Sequence, residues 1–203
     1  MARILVLIVL LFTAACGGGG GSDDGTGPVR DPRLVRLDAY DAQKLRVLGD
    51  PGNGIPGMSQ SPACASPPLG RAVFTGFTNI RIEDPDAPLI LFGDASVTVV
   101  FGDGTVGGTL DQFFGTNGDG DVVDYAGQID IDGGDITDGV SLDYGGVLTD
   151  ADNTLVFDGT MEGTFLGDPV GALTAVDLEA AVIVSGTPLD ATVIVVGETT
   201  GIE

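Results

Sequence analysis

Polar and apolar residues alternate along most of the chain after residue 70, as they do in strands with one buried face and one face in water. The alternation is nearly complete between Ser96 and Phe101. Asp103-Gly104 follows, a pair that favours a two-residue hairpin loop because both of its central positions take positive φ. With this loop, Phe101 lies opposite Val106, and the apolar residues of both strands share one face.

The same alternation continues to the end of the chain and predicts about eight strands. The predicted segments are 71–82, 89–92, the hairpin 96–111, then 123–132, 140–149, 155–165, 172–184 and 191–198, with a turn at 186–190. Glycines recur on the apolar faces, where they let strands coil tightly around large side chains. Many short strands at this spacing are typical of up-and-down sheets. We therefore predict an all-β fold, a small antiparallel up-and-down β-barrel over 71–203 with a packed interior and a polar outer face.

The first sixteen residues, MARILVLIVLLFTAAC, follow a different pattern. One Arg, an apolar run and small residues before a Cys are typical of a secretory signal peptide, and the run is too short to span a bilayer as a helix. Residues 13–16 resemble the lipobox of bacterial lipoproteins, in which the Cys is lipidated and becomes the first mature residue. We predict a lipoprotein signal peptide at 1–15 and a lipid anchor on Cys16, the alternative being an ordinary signal peptide. The next residue is Gly17 rather than Asp, and by analogy with the sorting of bacterial lipoproteins this resemblance implies the outer membrane.

Residues 16–29 hold the lipidated Cys and a Gly-rich tether without hydrophobic content. Residues 30–70 are predicted to form a short helix and an irregular connection rich in Pro, Gly and Ser. The helix is suggested by Leu34, Leu37, Leu45 and Leu48, which have partly helical spacing with Tyr40 between them. Five of the eight basic residues lie here: Arg30, Arg33, Arg36, Lys44 and Arg46. They have two alternative uses, contact with anionic head groups near the anchor, or ion pairs with an acidic barrel and plain solvation.

Charge and composition exclude several function classes. Thirty acidic residues against eight basic ones give a net charge of −22, so no nucleic-acid partner is expected. The chain has no His, which excludes a Ser-His-Asp triad, a Cys-His pair and a His-based zinc site. No pair of carboxylates stands out as an acid–base couple, so we predict a protein that is not an enzyme, with no catalytic residues and no cofactor. Once Cys16 is lipidated, Cys64 is the only thiol, and no intrachain disulfide can form.

The acidic stretch 117–124, NGDGDVVD, begins like a calcium loop because oxygen ligands stand at alternate positions. The EF-hand template requires Gly at its sixth position and Glu at its twelfth, where this chain has Val122 and Gln128. Asn, Gly and Asp are also the residues that tight turns require. We therefore interpret 117–124, and likewise 132–135 and 150–153, as turns and assign no metal ligand, with calcium binding as the alternative.

Three Gly/aromatic patterns carry a resemblance to a known family. They are Phe74-Thr-Gly76, the hairpin from Gly93 to Leu110, and GTMEGTFLG at 159–167. Together with the lipobox and the Gly-rich tether, residues 71–198 resemble the β-barrel domain of transferrin-binding-protein-like lipoproteins. The resemblance implies a single barrel displayed at the cell surface. The binding loops of that family have no recognisable counterpart, so transferrin binding is not implied and no ligand residue is carried over.

These observations give one main functional hypothesis and one alternative. The main hypothesis is an outer-membrane-anchored lipoprotein whose barrel recognises a ligand or a protein, and this hypothesis includes a role in iron or haem acquisition. Tyr125 and Tyr144 fall on apolar faces, and tyrosine can ligate haem iron, although packed core tyrosines are the preferred interpretation. The partners expected are the membrane, through the anchor, and an unidentified protein. The alternative is a structural envelope protein whose acidic loops bind calcium.

Overall fold

The computed structural model describes residues 30–62, 69–117, 120–136 and 139–202. The chain divides into two units, Met1–Arg30 and Asp31–Glu203, and the description below concerns the second. The described residues of this unit form one α-helix and a barrel of antiparallel strands. The predicted anchor at Cys16, the tether and Cys64 all lie outside the described residues.

Helix α1 spans Pro32–Val47, and a small ribbon of β1 (Gly49–Asp50) and β2 (Ile55–Pro56) follows it around a 3-10 turn at Pro51–Asn53. The remaining strands are β3 (Arg71–Ile82), β4 (Leu89–Val100), β5 (Thr105–Thr116), β6 (Val122–Asp124), β7 (Ala126–Asp135), β8 (Val140–Thr149), β9 (Thr154–Leu166), β10 (Ala172–Val184) and β11 (Thr187–Glu198). No helix within the described ranges is long and apolar enough to cross a membrane.

Eight of these strands close into a barrel, as the alternation predicted. Each of β3, β4, β5, β7, β8, β9, β10 and β11 pairs with its neighbour in sequence, and β11 pairs back onto β3. The short strand β6 lies outside this ring and pairs with the end of β5. Every barrel strand therefore has a partner on both sides, and the sheet has no long free edge.

The predicted register of the first hairpin is wrong by two residues. Val99 lies opposite Val106, and Phe101 belongs to a four-residue turn that ends at Gly104. Of the turn residues only Gly104 has positive φ, so Asp103-Gly104 is not the two-residue loop that the pair suggested. Because the shift is an even number, the apolar set still faces inward.

A two-residue loop does occur in the last hairpin, between β10 and β11. Ser185 and Gly186 have φ of 47° and 92°, the conformation of a type I′ turn, and Val184 pairs with Thr187. The predicted turn at 186–190 was therefore too long, and β11 begins at Thr187. Likewise the predicted short strand 89–92 and the strand after it are one strand, β4.

Large apolar side chains fill the barrel interior. Phe74, Phe113, Phe157, Ile80 and Leu142 are each at most 2% exposed and belong to one continuous core. Burial of this apolar surface is the main term that stabilises the fold. Phe113 points into this core while its neighbour Phe114 belongs to a second cluster on the outside of the barrel, beneath α1.

Helix α1 begins and ends at clear signals. The Asp31 carboxylate accepts a hydrogen bond of 2.9 Å from the Arg33 amide, and Pro32 occupies the first turn. Gly49, with φ of 70°, follows the C-cap residue Leu48. The predicted leucine face is not the face that packs on the barrel: Tyr40, Gln43 and Val47 are buried there, whereas Leu34, Leu45 and Leu48 are exposed.

Candidate functional site: the helix–barrel junction and the acidic outer face

The buried face of α1 packs against an apolar patch on the outside of the barrel. Tyr40 and Val47 join Phe77, Phe114 and Val196 in the second hydrophobic cluster. The rings of Tyr40 and Phe77 stack with their centroids 5.3 Å apart. This junction joins the first strand of the barrel, β3, to the last, β11, because Phe77 belongs to one and Val196 to the other.

A polar network lies at the edge of this patch. The Tyr40 hydroxyl donates to the Asp94 carboxylate and accepts from the Arg36 guanidinium at 2.8 Å. Arg36 also lies 3.2 Å from Asp94, and its guanidinium carbon is 4.8 Å from the centre of the Phe114 ring. Burial, followed by the hydrogen bond to Asp94, raises the pKa of Tyr40, so the phenol stays neutral.

A backbone irregularity turns a carbonyl towards Arg36. Gln112 has φ of 52°, and the pairing of β4 with β5 shifts register between Phe92 and Asp94. As a result the Gln112 carbonyl accepts a hydrogen bond of 2.8 Å from Arg36. The guanidinium therefore has a hydroxyl, a carboxylate and a carbonyl as partners, which fixes its orientation.

A buried amide fixes the middle of the helix. Gln43 is 7% exposed, and its Nε2 donates to the Thr75 carbonyl at 2.8 Å. Gly76 makes this approach possible, because a Cβ at that position would lie 2.7 Å from Gln43 Nε2 and 2.1 Å from the Val196 carbonyl. A buried polar side chain with a satisfied hydrogen bond positions the helix as well as stabilising it.

Ion pairs join both ends of α1 to the barrel unit. Near the start, Arg33 lies 3.8 Å from Asp124 and donates to the Val122 carbonyl at 3.2 Å. Near the end, Arg46 pairs with Glu198 at 2.6 Å. Together with Arg36, these contacts confirm the interpretation of the helix arginines as ion-pair partners of the acidic barrel. Each pair is partly exposed and contributes little to stability on its own.

A groove of about 280 Å³ lies between the helix and the barrel. Its walls come from Leu37, Asp41, Lys44 and Leu48 of the helix segment and from barrel side chains that include Phe92 and Ile194. The groove is mostly apolar, with the two charged residues on the helix side. It extends the apolar surface that the helix itself covers.

A shallow acidic depression lies on the outer face of strands β7, β8 and β9, and it contrasts with the mostly apolar groove beside the helix. Asp132, Asp143 and Asp158 line the depression, over a floor that includes Gly145. The Thr160 hydroxyl donates to Asp143 at 2.8 Å. Among the described residues, no three acidic or thiol groups converge closely enough to hold a metal ion.

Of the acidic stretches predicted as turns, 132–135 is not a turn: it forms the end of strand β7, where the pairing with β8 shifts register between Ile131 and Gly134. Residues 118–119 of the 117–124 stretch lie outside the described residues, while the Asp121 amide donates to the Asn117 side chain at 2.9 Å. At 150–153, the Asp150 carboxylate accepts a hydrogen bond of 2.8 Å from the Asp152 amide, the arrangement of an Asx turn.

Tyr125 and Tyr144 point inward and are each 4% exposed. The Tyr125 hydroxyl donates to the Thr116 carbonyl, and the Tyr144 hydroxyl donates to Asp177, both at 2.9 Å. Burial is the largest factor that raises the pKa of both phenols. Each hydroxyl is therefore engaged in a hydrogen bond within the protein.

The sequence patterns did not point to the residues that join helix and barrel. Gln43, Asp94 and Gln112 carry polar contacts that depend on tertiary position, and Phe77 and Phe114 stand at outward positions that alternation assigns to water. One signal was present: Phe77, Phe92 and Phe114 stand at outward positions of the consecutive strands β3, β4 and β5, and such an aromatic patch indicates that something covers it.

Fold and site together define the class of protein: a closed eight-stranded antiparallel barrel with a packed interior and one basic helix on its outer surface. Neither a comparison with protein-family models nor one with curated proteins found a match to the chain.

Proposed function

We propose that the protein is a lipoprotein of the bacterial outer membrane, anchored through Cys16, whose barrel recognises a protein partner with a basic surface. The transferrin-binding-protein-like resemblance of 71–198 supports surface display of such a barrel. The recognition is non-catalytic and uses the outer face of the barrel, since the interior is occupied by its own side chains.

The observation that carries this proposal is the distribution of charge. After Arg81 the chain has 24 acidic residues and no basic one. Three arginines of α1, Arg33, Arg36 and Arg46, form ion pairs with carboxylates of the barrel unit, and Arg81 at the end of β3 pairs with Glu83. Strands β7 to β9 therefore present carboxylates without a basic neighbour in the sequence, and this field attracts a basic partner and speeds its association.

The carboxylates of the acidic depression are spread across three strands rather than gathered around one point. A small cation is bound by six to eight converging oxygens, which this arrangement does not supply from described residues. A protein surface with several Lys or Arg side chains fits such a spread better. The depression is accordingly the part of the outer face on which we expect a partner to rest.

Anchoring and recognition are tested separately. For anchoring, cells that express the full chain are grown with a clickable fatty acid, and Cys16→Ser is compared with Cys64→Ser. We expect Cys16→Ser alone to lose the label and to leave the membrane fraction. Equal labelling of both variants would contradict the anchor.

For recognition, a photo-crosslinking amino acid is placed at Asp143 in the depression or, as a control, at Leu178, which is 71% exposed on β10. We expect adducts at 143 that decrease at high salt, because exposed charges are screened. Thermal unfolding with millimolar calcium and with haem checks the alternatives, since a ligand of the folded state raises the melting temperature. A large shift with either ligand, without adducts at 143, would overturn protein recognition in favour of that ligand.

A further inference from the structure

One face of α1 remains in water although it is largely apolar. Leu34, Leu45 and Leu48 are 48%, 42% and 37% exposed. Leu37 is partly buried and lies with Leu48 on the wall of the groove beside the barrel. Such a concentration of exposed leucines on one short helix is typical of an interaction surface.

The groove-lining residues of the helix have the spacing of a helix–helix seam. Leu37, Asp41, Lys44 and Leu48 follow one another at intervals of four, three and four, the repeat that keeps side chains on one stripe of a helix. Leu34 and Leu45 flank this stripe. The stripe has leucine at each end and two opposite charges at its centre.

The stripe is complementary to the same stripe on a second copy of the chain when the two helices run antiparallel. In an antiparallel pair with a two-fold axis between residues 42 and 43, Leu37 of one chain lies beside Leu48 of the other, and Asp41 lies beside Lys44. Neither Asp41 nor Lys44 has an ion-pair partner among the described residues, although the charge of Lys44 contributes to lowering the pKa of Asp50. A two-fold interface satisfies both charges twice with the same surface.

We propose that α1 and the adjoining groove form the interface of an antiparallel two-fold homodimer, in which Asp41 of each subunit faces Lys44 of the other. The proposal is independent of the recognition function and uses a different face from the acidic depression. The leucines supply buried apolar area, and the two ion pairs fix the antiparallel orientation, as polar residues within helix seams commonly do. For a small interface of this kind we expect a dissociation constant of roughly 1–100 µM.

A second copy fits this surface better than a lipid surface does. Asp41 lies at the centre of the apolar stripe and Asp38 is exposed close by, and both would be driven into an apolar or anionic layer on contact with a membrane. The second copy brings Lys44 to the same place. It also brings the leucines that fill the groove.

The chain provides an unusually specific test, because Lys44 is its only lysine. A zero-length carbodiimide reagent joins a carboxylate to an amine with loss of water, so an inter-chain crosslink between side chains must use Lys44. The full chain is extracted in mild detergent, treated, separated as monomer and covalent dimer, and the dimer is digested for mass spectrometry. We expect a dimer in which Asp41 is linked to Lys44.

Charge exchange separates the proposal from nonspecific contact. In sedimentation experiments, Asp41→Lys and Lys44→Asp should each weaken dimerisation at least tenfold, and the double exchange Asp41→Lys/Lys44→Asp should restore it to within about threefold. Lys44→Arg should abolish the crosslink but keep the dimer. Leu48→Glu should give monomers, whereas Leu178→Glu, the same change at an exposed leucine on β10, should not.

Three outcomes would overturn the homodimer. They are a monomer at all concentrations up to about 1 mM, a dimer that the single charge reversals leave intact, or a double exchange that fails to restore what each single change removed. If Leu48→Glu instead reduces only the binding of the monomer to phospholipid vesicles, the stripe faces lipid. Thermal melting of each variant checks that the barrel remains folded.

Discussion

Alkaline pH should destabilise this protein through all three of its tyrosines at once. Tyr40, Tyr125 and Tyr144 are the only tyrosines of the chain, and each is at most 7% exposed. Burial is the largest cause that raises the pKa of each phenol, with a carboxylate nearby as a further cause: Asp94, Asp150 and Asp177 respectively. The folded state therefore favours the neutral form of all three.

The sign follows from proton linkage. The folded-state pKa lies above the unfolded value near 10, so this source of stability is complete below about pH 10. At higher pH the unfolded chain releases three protons that the folded chain retains, and stability falls until the folded pKa values are reached. Each tyrosine contributes a slope of about 1.4 kcal/mol per pH unit, so the three together give about 4 kcal/mol per unit.

Urea unfolding between about pH 8 and about pH 12 measures this slope, and ultraviolet difference absorbance of tyrosinate follows ionisation directly. Each Tyr→Phe variant should remove about a third of the slope above about pH 10 while leaving the slope below it unchanged. A folded protein whose tyrosines ionise near pH 10 would refute the reasoning. So would a slope that the three Tyr→Phe variants do not alter.

Two substitutions test the packing that fixes helix and barrel. Gln43→Ala removes the buried hydrogen bond of the amide and should lower the free energy of unfolding by about 1–2 kcal/mol in urea titrations, whereas Gln60→Ala, at an exposed position, should change it by less than about 0.5 kcal/mol. A Cβ at Gly163 would lie 2.2 Å from the Thr174 carbonyl, so Gly163→Ala should cost about 2–3 kcal/mol by forcing β9 from β10. Gly104→Ala meets open space and only the strain of positive φ, about 1 kcal/mol, so equal losses for the two glycines would contradict this account.

The barrel could be predicted from the sequence because its strands alternate with a strict period of two. Burial of one face imposes that period, so the strands, and the residues of each strand that face inward, can be predicted even when the loop between two strands is predicted wrongly. The register of the first hairpin could not be predicted from Asp103-Gly104 alone, because a four-residue turn and a two-residue turn place the same residues on the same face. The fold depends on which side chains face the interior, and a register shift by an even number of residues leaves that set unchanged.

The helix junction could not be predicted, for a different reason. Helical spacing showed that leucines share a face, but not which face meets the barrel. The barrel patch selects Tyr40, Gln43 and Val47 because it offers Phe77 for stacking, the Thr75 carbonyl for the amide and Asp94 for the hydroxyl. Thr75 and Phe77 lie on β3 and Asp94 on its hairpin partner β4, and only the pairing of β11 with β3 adds Val196 to the same patch.

The position of α1 across the meeting of β3 and β11 constrains the order of events during folding. The helix is synthesised before any strand, yet its cluster includes Val196 and its ion pair uses Glu198, both on the last strand. Its complete docking site therefore does not exist until the final hairpin has closed the ring. Hairpins can form one after another along the growing chain, since each strand pairs with the next. Contacts with β3, β4 and β5 are therefore available to α1 before the last hairpin forms, but the contacts with Val196 and Glu198 form only after β11 has paired with β3.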